Sequence, residues 1–76
     1  MTKKDHVIAY LRNHNMTLFR CKHFGYTVYA AVPFPGYGNL NHHKLSNGVA
    51  CWDWWPSIHS AYRNLFEKDK EESWKI

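Results

Sequence analysis

Two strand-like runs meet at the turn formed by Phe24 and Gly25, and this arrangement constrains the fold most strongly. The first run, Met16–His23, alternates in places between apolar and polar side chains, and the second, Tyr26–Val32, is rich in β-branched and aromatic residues. Such runs on either side of a glycine-containing turn predict an antiparallel hairpin. Pro33 ends the second strand, because proline removes a backbone donor from the ladder.

A helix is predicted before the hairpin and another near the C-terminus. Thr2 and Asp5 form a capping-box pair that favours a helix start at Lys3, and the asparagines at 13 and 15 favour its end. The second helix opens at Pro56 and Ser57. It carries an apolar stripe with helical spacing, made of Ile58, Ala61, Tyr62, Leu65 and Phe66. We expect these stripes to supply the core.

A third strand is predicted at Val49–Trp55, directly after a tight turn at Asn47-Gly48. Residues 33–48 show no sustained period and predict a long loop, and residues 67–76 predict a charged, fraying C-terminal extension. A chain of 76 residues has room for one core. The sequence therefore predicts a single small α+β domain over 1–76, in α-β-β-β-α order, with two helices packed on one face of a three-stranded antiparallel sheet. The predicted core comprises Val7, Ile8, Leu11, Leu18, Val28, Ala30, Ile58, Ala61, Tyr62, Leu65 and Phe66.

Charge is unevenly distributed along the chain. Six Lys or Arg residues face one acidic residue in 1–52, which predicts an anionic partner for this part of the molecule. The apolar run Val28–Phe34, which has no charged or strongly polar residue, is too short to span a bilayer, and the N-terminus lacks the apolar segment of a signal peptide. We therefore expect no membrane partner and a cytoplasmic location, in the host cell if the protein is viral.

Three tryptophans fall within four positions, at Trp52, Trp54 and Trp55. On one strand, Trp52 and Trp54 would face one way and Trp55 the other. We expect at least one indole to be exposed, and exposed Trp is a preferred anchor of protein interfaces. The predicted partner-binding surface comprises Trp52, Trp54, Trp55, Tyr37, Phe34, His42, His43 and Lys44.

A second interpretation places a nucleic-acid surface on the hairpin. Its cations would be Arg12, Arg20, Lys22 and His23. Its candidate stacking platforms would be Phe19, Phe24, Tyr26 and Tyr29. Both interpretations remain open at this stage.

Metal and disulfide chemistry have little support in the residue spacing. Cys21, His23, His42 and His43 do not form a zinc signature, so no metal and no cofactor is predicted. Two cysteines, Cys21 and Cys51, are too few for a disulfide scaffold, and whether they pair is left open.

No catalytic motif is present, so no catalytic residue is assigned. The element order across Val7–Gly36, together with the sequence Val-Pro-Phe-Pro-Gly at Val32–Gly36, resembles the mRNA interferases of the HicA type. The resemblance implies a double-stranded-RNA-binding-like fold and, in that family, a catalytic histidine in a Gly-Ser-His tripeptide on the second strand. This chain has Gly25-Tyr26-Thr27 there, and its nearest histidine, His23, precedes the turn.

Together these observations favour a small intracellular binding protein without enzymatic activity. We expect it to act through its aromatic-rich surface on a protein partner, as a phage or mobile-element inhibitor of a host protein would. The alternative is a basic RNA- or DNA-binding protein, including a small ribonuclease with the fold order named above.

Overall fold

The antiparallel hairpin lies at the centre of the fold. In the computed structural model, which describes residues 1–67, β1 (Met16–His23) and β2 (Tyr26–Pro33) pair without interruption, from Met16 opposite Pro33 to His23 opposite Tyr26. A short strand, β5 (Asp53–Trp55), pairs antiparallel with the other side of β2. The strand order is β1-β2-β5, which leaves β1 at an edge of this sheet. The predicted three-stranded antiparallel sheet is confirmed.

The first helix, α1 (Lys3–Asn13), begins and ends as predicted. The Thr2 hydroxyl accepts a hydrogen bond from the Asp5 backbone N–H at 3.1 Å, and the Asp5 carboxylate accepts one from the Thr2 N–H at 3.2 Å. The bond from the Thr2 N–H to the carboxylate, with a smaller contribution from the Thr2 side chain, favours the ionised form and lowers the pKa of Asp5. Asn15 adopts a left-handed conformation with φ 63°, which ends the helix and leads into β1.

The second helix, α2 (Ile58–Phe66), packs with α1 on one face of the sheet, as predicted. The Ser57 hydroxyl caps it by accepting a hydrogen bond from the Ser60 N–H at 3.1 Å. We call the apolar cluster between the helices and this face the helix-side core. Its buried members are Val7, Leu11, Met16, Ala31, Trp55, Ala61 and Leu65.

The predicted core needs correction at its edges. Phe66 is 44% exposed rather than buried, because it lies in the last turn of α2, where it contacts the rings of His6, Tyr10 and Tyr62 on one side only. Four other predicted members are half-buried: Ile8, Leu18, Ile58 and Tyr62. Five buried residues were missing from the prediction: Met16, Ala31, Leu45, Cys51 and Trp55.

The segment predicted as a long loop contains ordered elements. A 3₁₀ turn at Gly38–Leu40 is followed by β3 (His43–Lys44), which pairs antiparallel with β4 (Ala50–Cys51) in a separate two-stranded sheet. The predicted turn between them is confirmed by Gly48, whose φ is 91° and whose N–H donates to the Leu45 carbonyl at 2.9 Å. This small sheet packs on the second face of the main sheet. The resulting cluster, which we call the loop-side core, has four buried members: Val28, Ala30, Leu45 and Cys51.

The third strand is broken at Trp52, contrary to the prediction of one strand over 49–55. Ala50 and Cys51 pair with β3, whereas Asp53–Trp55 pair with β2, so the chain changes its pairing partner at Trp52. The Trp52 N–H still donates to the Ala31 carbonyl at 2.7 Å. Because of this break, Trp52 packs against the helix-side core and not on the same face as Trp54.

Only the first residue of the predicted C-terminal extension, Glu67, falls within the described residues, where it follows α2. The rest of that prediction, at 68–76, lies outside them. Neither of the described helices has the length and apolar character needed to cross a bilayer.

Candidate functional site

The three clustered tryptophans are not the exposed aromatic residues of this protein. Trp55 is only 5% exposed in the helix-side core, and Trp52 and Trp54 are half-buried. The expectation of an exposed indole is therefore wrong. The physical reason is that the sheet is covered on both faces, so an indole on either face finds a cluster to pack against.

The other residues of the predicted partner-binding surface differ in exposure. Phe34 is half-buried, and Tyr37 is 42% exposed before the 3₁₀ turn. His42, His43 and Lys44 are exposed. His43 and Lys44 lie on β3, so this part of the predicted loop is held in register with β4.

The most exposed aromatic rings lie at the tip of the β1–β2 hairpin. Phe24 and Tyr26 are 76% and 77% exposed, and Phe19 on β1 is also exposed. Tyr29 is half-buried opposite Trp55. Of the four stacking platforms expected from the sequence, three are thus accessible, and two of these stand together at the tip.

The turn that carries Phe24 has an unfavourable backbone conformation for its sequence. Phe24 and Gly25 have φ values of 51° and 83°, as in the two-residue turns that suit a β-hairpin. Such turns favour Asn or Gly at the first position, because the left-handed conformation costs other residues about 1–2 kcal/mol. Phe24 is 76% exposed, so burial of its ring offsets little of this cost.

A pair of hydrogen bonds fixes this strained turn to the β3–β4 turn. The Phe24 N–H donates to the Ser46 hydroxyl at 2.8 Å, and the Ser46 N–H donates to His23 Nδ1 at 2.9 Å. Because His23 Nδ1 accepts a hydrogen bond from the Ser46 N–H, it carries no proton, and the ring N–H is at Nε2. The tip is therefore held rigidly although its side chains are exposed.

Ring contacts connect the tip to the loop-side core. The ring centroid of His23 lies 4.5 Å from that of Phe24 and 4.8 Å from that of Trp54. Trp54 packs in turn against the loop-side core. Phe24 is therefore backed by a series of rings, which restricts its motion and prepares its outer side for a flat ligand.

Two exposed cations lie on β1 just behind the tip. Arg20 is opposite Tyr29 and Lys22 is opposite Thr27, so the two cations share one face of the hairpin. The Lys22 ammonium donates to the Thr27 hydroxyl at 2.7 Å. Arg12, the third predicted cation, is exposed in the last turn of α1 and lies near the other end of β1.

The candidate metal ligands are not brought together. No group of three or more His, Cys, Asp or Glu side chains within residues 1–67 is placed to hold a metal ion. Cys21 and Cys51 are both free thiols beside the loop-side core. Burial, with smaller contributions from Asp53 and Cys21, raises the pKa of the Cys51 thiol to about 11.

No protein-family model, no curated protein and no solved structure matches this chain. The resemblance to the HicA-type interferases is therefore one of element order. His23, the histidine nearest to the catalytic position of that family, already has its Nδ1 occupied by the Ser46 N–H.

Proposed function

We propose that this protein binds single-stranded nucleic acid through the tip and flank of its β1–β2 hairpin. The observation that carries the proposal is that the hairpin presents two highly exposed rings at its tip, Phe24 and Tyr26, and two exposed cations on the adjoining part of β1, Arg20 and Lys22. Exposed rings stack on bases, and cations behind them neutralise phosphates. No catalytic step is part of the proposal.

The charge around the hairpin supports an anionic ligand. From residue 6 to residue 52 the chain contains Arg12, Arg20, Lys22 and Lys44 but no Asp or Glu. A phosphate backbone approaching this part of the molecule therefore meets no carboxylate from these residues. Four cations give a modest attraction, so the affinity depends on stacking as well as on charge.

The strained turn favours a ligand with accessible flat rings. Phe24 costs stability where Asn would cost less, and a turn that is hydrogen-bonded to Ser46 holds its ring 76% exposed. A non-glycine residue held at positive φ, as Phe24 is, is frequently found at binding sites. Bases in a duplex have their faces stacked on each other, so single strands offer the surface that Phe24 and Tyr26 require.

The direct test is fluorescence anisotropy of labelled oligothymidylate and oligouridylate octamers. Phe24→Ala and Tyr26→Ala are each expected to weaken binding about tenfold, the loss typical of one base–aromatic stack. Phe66→Ala, which removes an exposed ring on α2, is the matched control and is expected to leave affinity unchanged.

Salt dependence tests the role of the cations. Arg20→Ala and Lys22→Ala are each expected to reduce the slope of log affinity against log salt by about 0.7, the value for one phosphate contact on a single strand. Lys4→Ala, an exposed cation on α1, is the matched control. Absence of binding at low salt, or binding that the hairpin variants leave unchanged, would contradict the proposal.

A protein partner is the second candidate, and one observation favours it. Tyr37 is exposed before the 3₁₀ turn, and His42, His43 and Lys44 are exposed at the start of the segment that covers the second face of the sheet. An inhibitor of a host protein, of the phage or mobile-element type, would use such a surface, with Tyr37 as its aromatic anchor. Co-purification from cells with and without nuclease separates the candidates: a protein retained after nuclease treatment and lost in Tyr37→Ala supports this one.

A further inference from the structure

A second aromatic site lies at the end of β1 that is remote from the hairpin tip. It is a cavity of about 170 Å³ that is partly open to solvent, lined by Tyr10, His14, Met16, Leu40 and Trp52. A cavity of about 150 Å³ is known to accommodate a benzene ring. The space therefore matches one flat ring and is too small for an extended ligand.

The lining has the chemistry of a base-binding pocket. The Tyr10 and His14 rings pack against each other with centroids 4.5 Å apart, and Trp52 supplies a third aromatic surface. Met16 and Leu40 make the remainder apolar. The phenol, imidazole and indole groups also offer hydrogen-bond donors and acceptors, which a hydrocarbon ligand would leave unpaired but the edge of a nucleobase can use.

The edge strand β1 connects this cavity to the hairpin tip. Met16 lines the cavity at one end of the strand, and His23 precedes the tip at the other. Between them Phe19, Arg20 and Lys22 are exposed. At the cavity end, Arg12 lies two residues before His14, and its carbonyl accepts the Asn15 N–H at 3.1 Å. Met16, Arg20 and Lys22 lie on the same face of β1, so both cations lie between the cavity and the tip.

We propose that the cavity binds one nucleobase of the same strand that stacks on Phe24 and Tyr26, with the intervening phosphates along β1. This inference rests on the proposed function and adds a specific subsite to it. The subsite makes binding depend on strand length, because a short strand reaches the tip or the cavity but not both. In an oligonucleotide long enough to reach both sites, the terminal base in the cavity is then expected to contribute more to affinity than its neighbours.

The experiment combines a length series with abasic substitution. In an oligothymidylate series from dimer to decamer, affinity is expected to rise about tenfold at the length that first reaches both sites, and then to increase only slowly. An abasic residue at one end of that oligonucleotide is expected to reverse the gain. A smooth increase with length and equal effects of every abasic position would overturn the subsite.

The matched variants are His14→Ala and His6→Ala, two exposed histidines on or next to α1, of which only His14 lines the cavity. His14→Ala is expected to weaken binding of the spanning oligonucleotide about tenfold and to leave binding of the terminally abasic one unchanged. His6→Ala is expected to change neither. Trp52→Phe, which keeps an aromatic wall, is expected to give a smaller loss than His14→Ala.

The outcomes separate the two proposals. If Phe24→Ala weakens binding but His14→Ala does not, the nucleic-acid function stands and the base subsite is overturned. If His14→Ala weakens the intact and abasic oligonucleotides equally, the cavity does not hold the terminal base, and the subsite is again overturned. If no oligonucleotide binds, both proposals fail.

Discussion

The two ends of the β1–β2 hairpin both carry apolar side chains, but these are buried at one end and exposed at the other. At its base, Met16 and Ala31 are buried under both helices, whereas at its tip Phe24 and Tyr26 are more than three-quarters exposed. The lengths explain part of the difference. Eight strand residues extend about 25 Å, but the 11 residues of α1 extend only about 16 Å, so the helix cannot cover the whole hairpin.

The comparison teaches that a cluster of aromatic residues in the sequence need not form an exposed aromatic surface in the structure. The tryptophans, which are concentrated in sequence, lie where the sheet is covered on both faces. The two most exposed rings within residues 1–67, Phe24 and Tyr26, lie where the hairpin extends beyond the helices. Stability is therefore concentrated at the base, and the tip is free to carry a binding function that costs stability.

The largest expected effect is at the base. Leu65→Ala is expected to lower the free energy of unfolding by about 2–5 kcal/mol, because it leaves a cavity in the helix-side core. Phe66→Ala, one position later and exposed, is the control and is expected to cost less than about 1 kcal/mol. Urea denaturation measures both, and equal losses would show that α2 does not pack as described.

A smaller effect is expected where the tip is attached to the β3–β4 turn. Ser46→Ala removes the acceptor of the Phe24 N–H, and we expect a loss of about 0.5–1.5 kcal/mol. Amide hydrogen exchange should become faster at Phe24 and remain unchanged at Val7 in the helix-side core. Unchanged exchange at Phe24 would show that this bond does not hold the turn.

A stabilising effect is expected at the tip itself. Phe24→Asn relieves the left-handed strain and is expected to raise the free energy of unfolding by up to about 1 kcal/mol, while it weakens oligonucleotide binding. Thermal unfolding and anisotropy on the same variant measure the two effects. A variant that loses stability and keeps its affinity would contradict the assignment of Phe24 to binding rather than folding.

The smallest effect tests whether β3 and β4 cover the second face of the main sheet, and it is measured as the reaction rates of the two thiols. Because its pKa is raised to about 11, Cys51 is expected to react with a disulfide reagent at pH 8 much more slowly than the half-buried Cys21. In Cys21→Ser only the slow reaction should remain. The raised pKa also means that the contribution of the neutral thiol to stability is complete below its ordinary pKa of 9.0 and is lost as the pH rises through about 11. Two equally fast thiols would show that β3 and β4 do not shield this face.

Local patterns in the sequence were sufficient for the main elements. The Thr2–Asp5 capping pair, the Phe24-Gly25 turn and the apolar stripe of α2 each act within a few residues, so their outcome did not depend on distant packing. They predicted both helices and the hairpin. The cations of the proposed nucleic-acid surface, Arg20 and Lys22, were also identified from the sequence.

The tertiary structure alone decided which surfaces are covered. No local pattern indicates that Leu45 and Cys51 fold back over the second face, because β3 and β4 are only two residues each and depend on contacts with the main sheet. That cover buries one side of Trp54 and breaks the third strand at Trp52. The sequence by itself determined where the two helices and the β1–β2 hairpin form, because backbone preferences and periodicity act locally. Only the packing of distant segments determined that the accessible rings are Phe24 and Tyr26 and not the tryptophans, because exposure depends on what covers a residue.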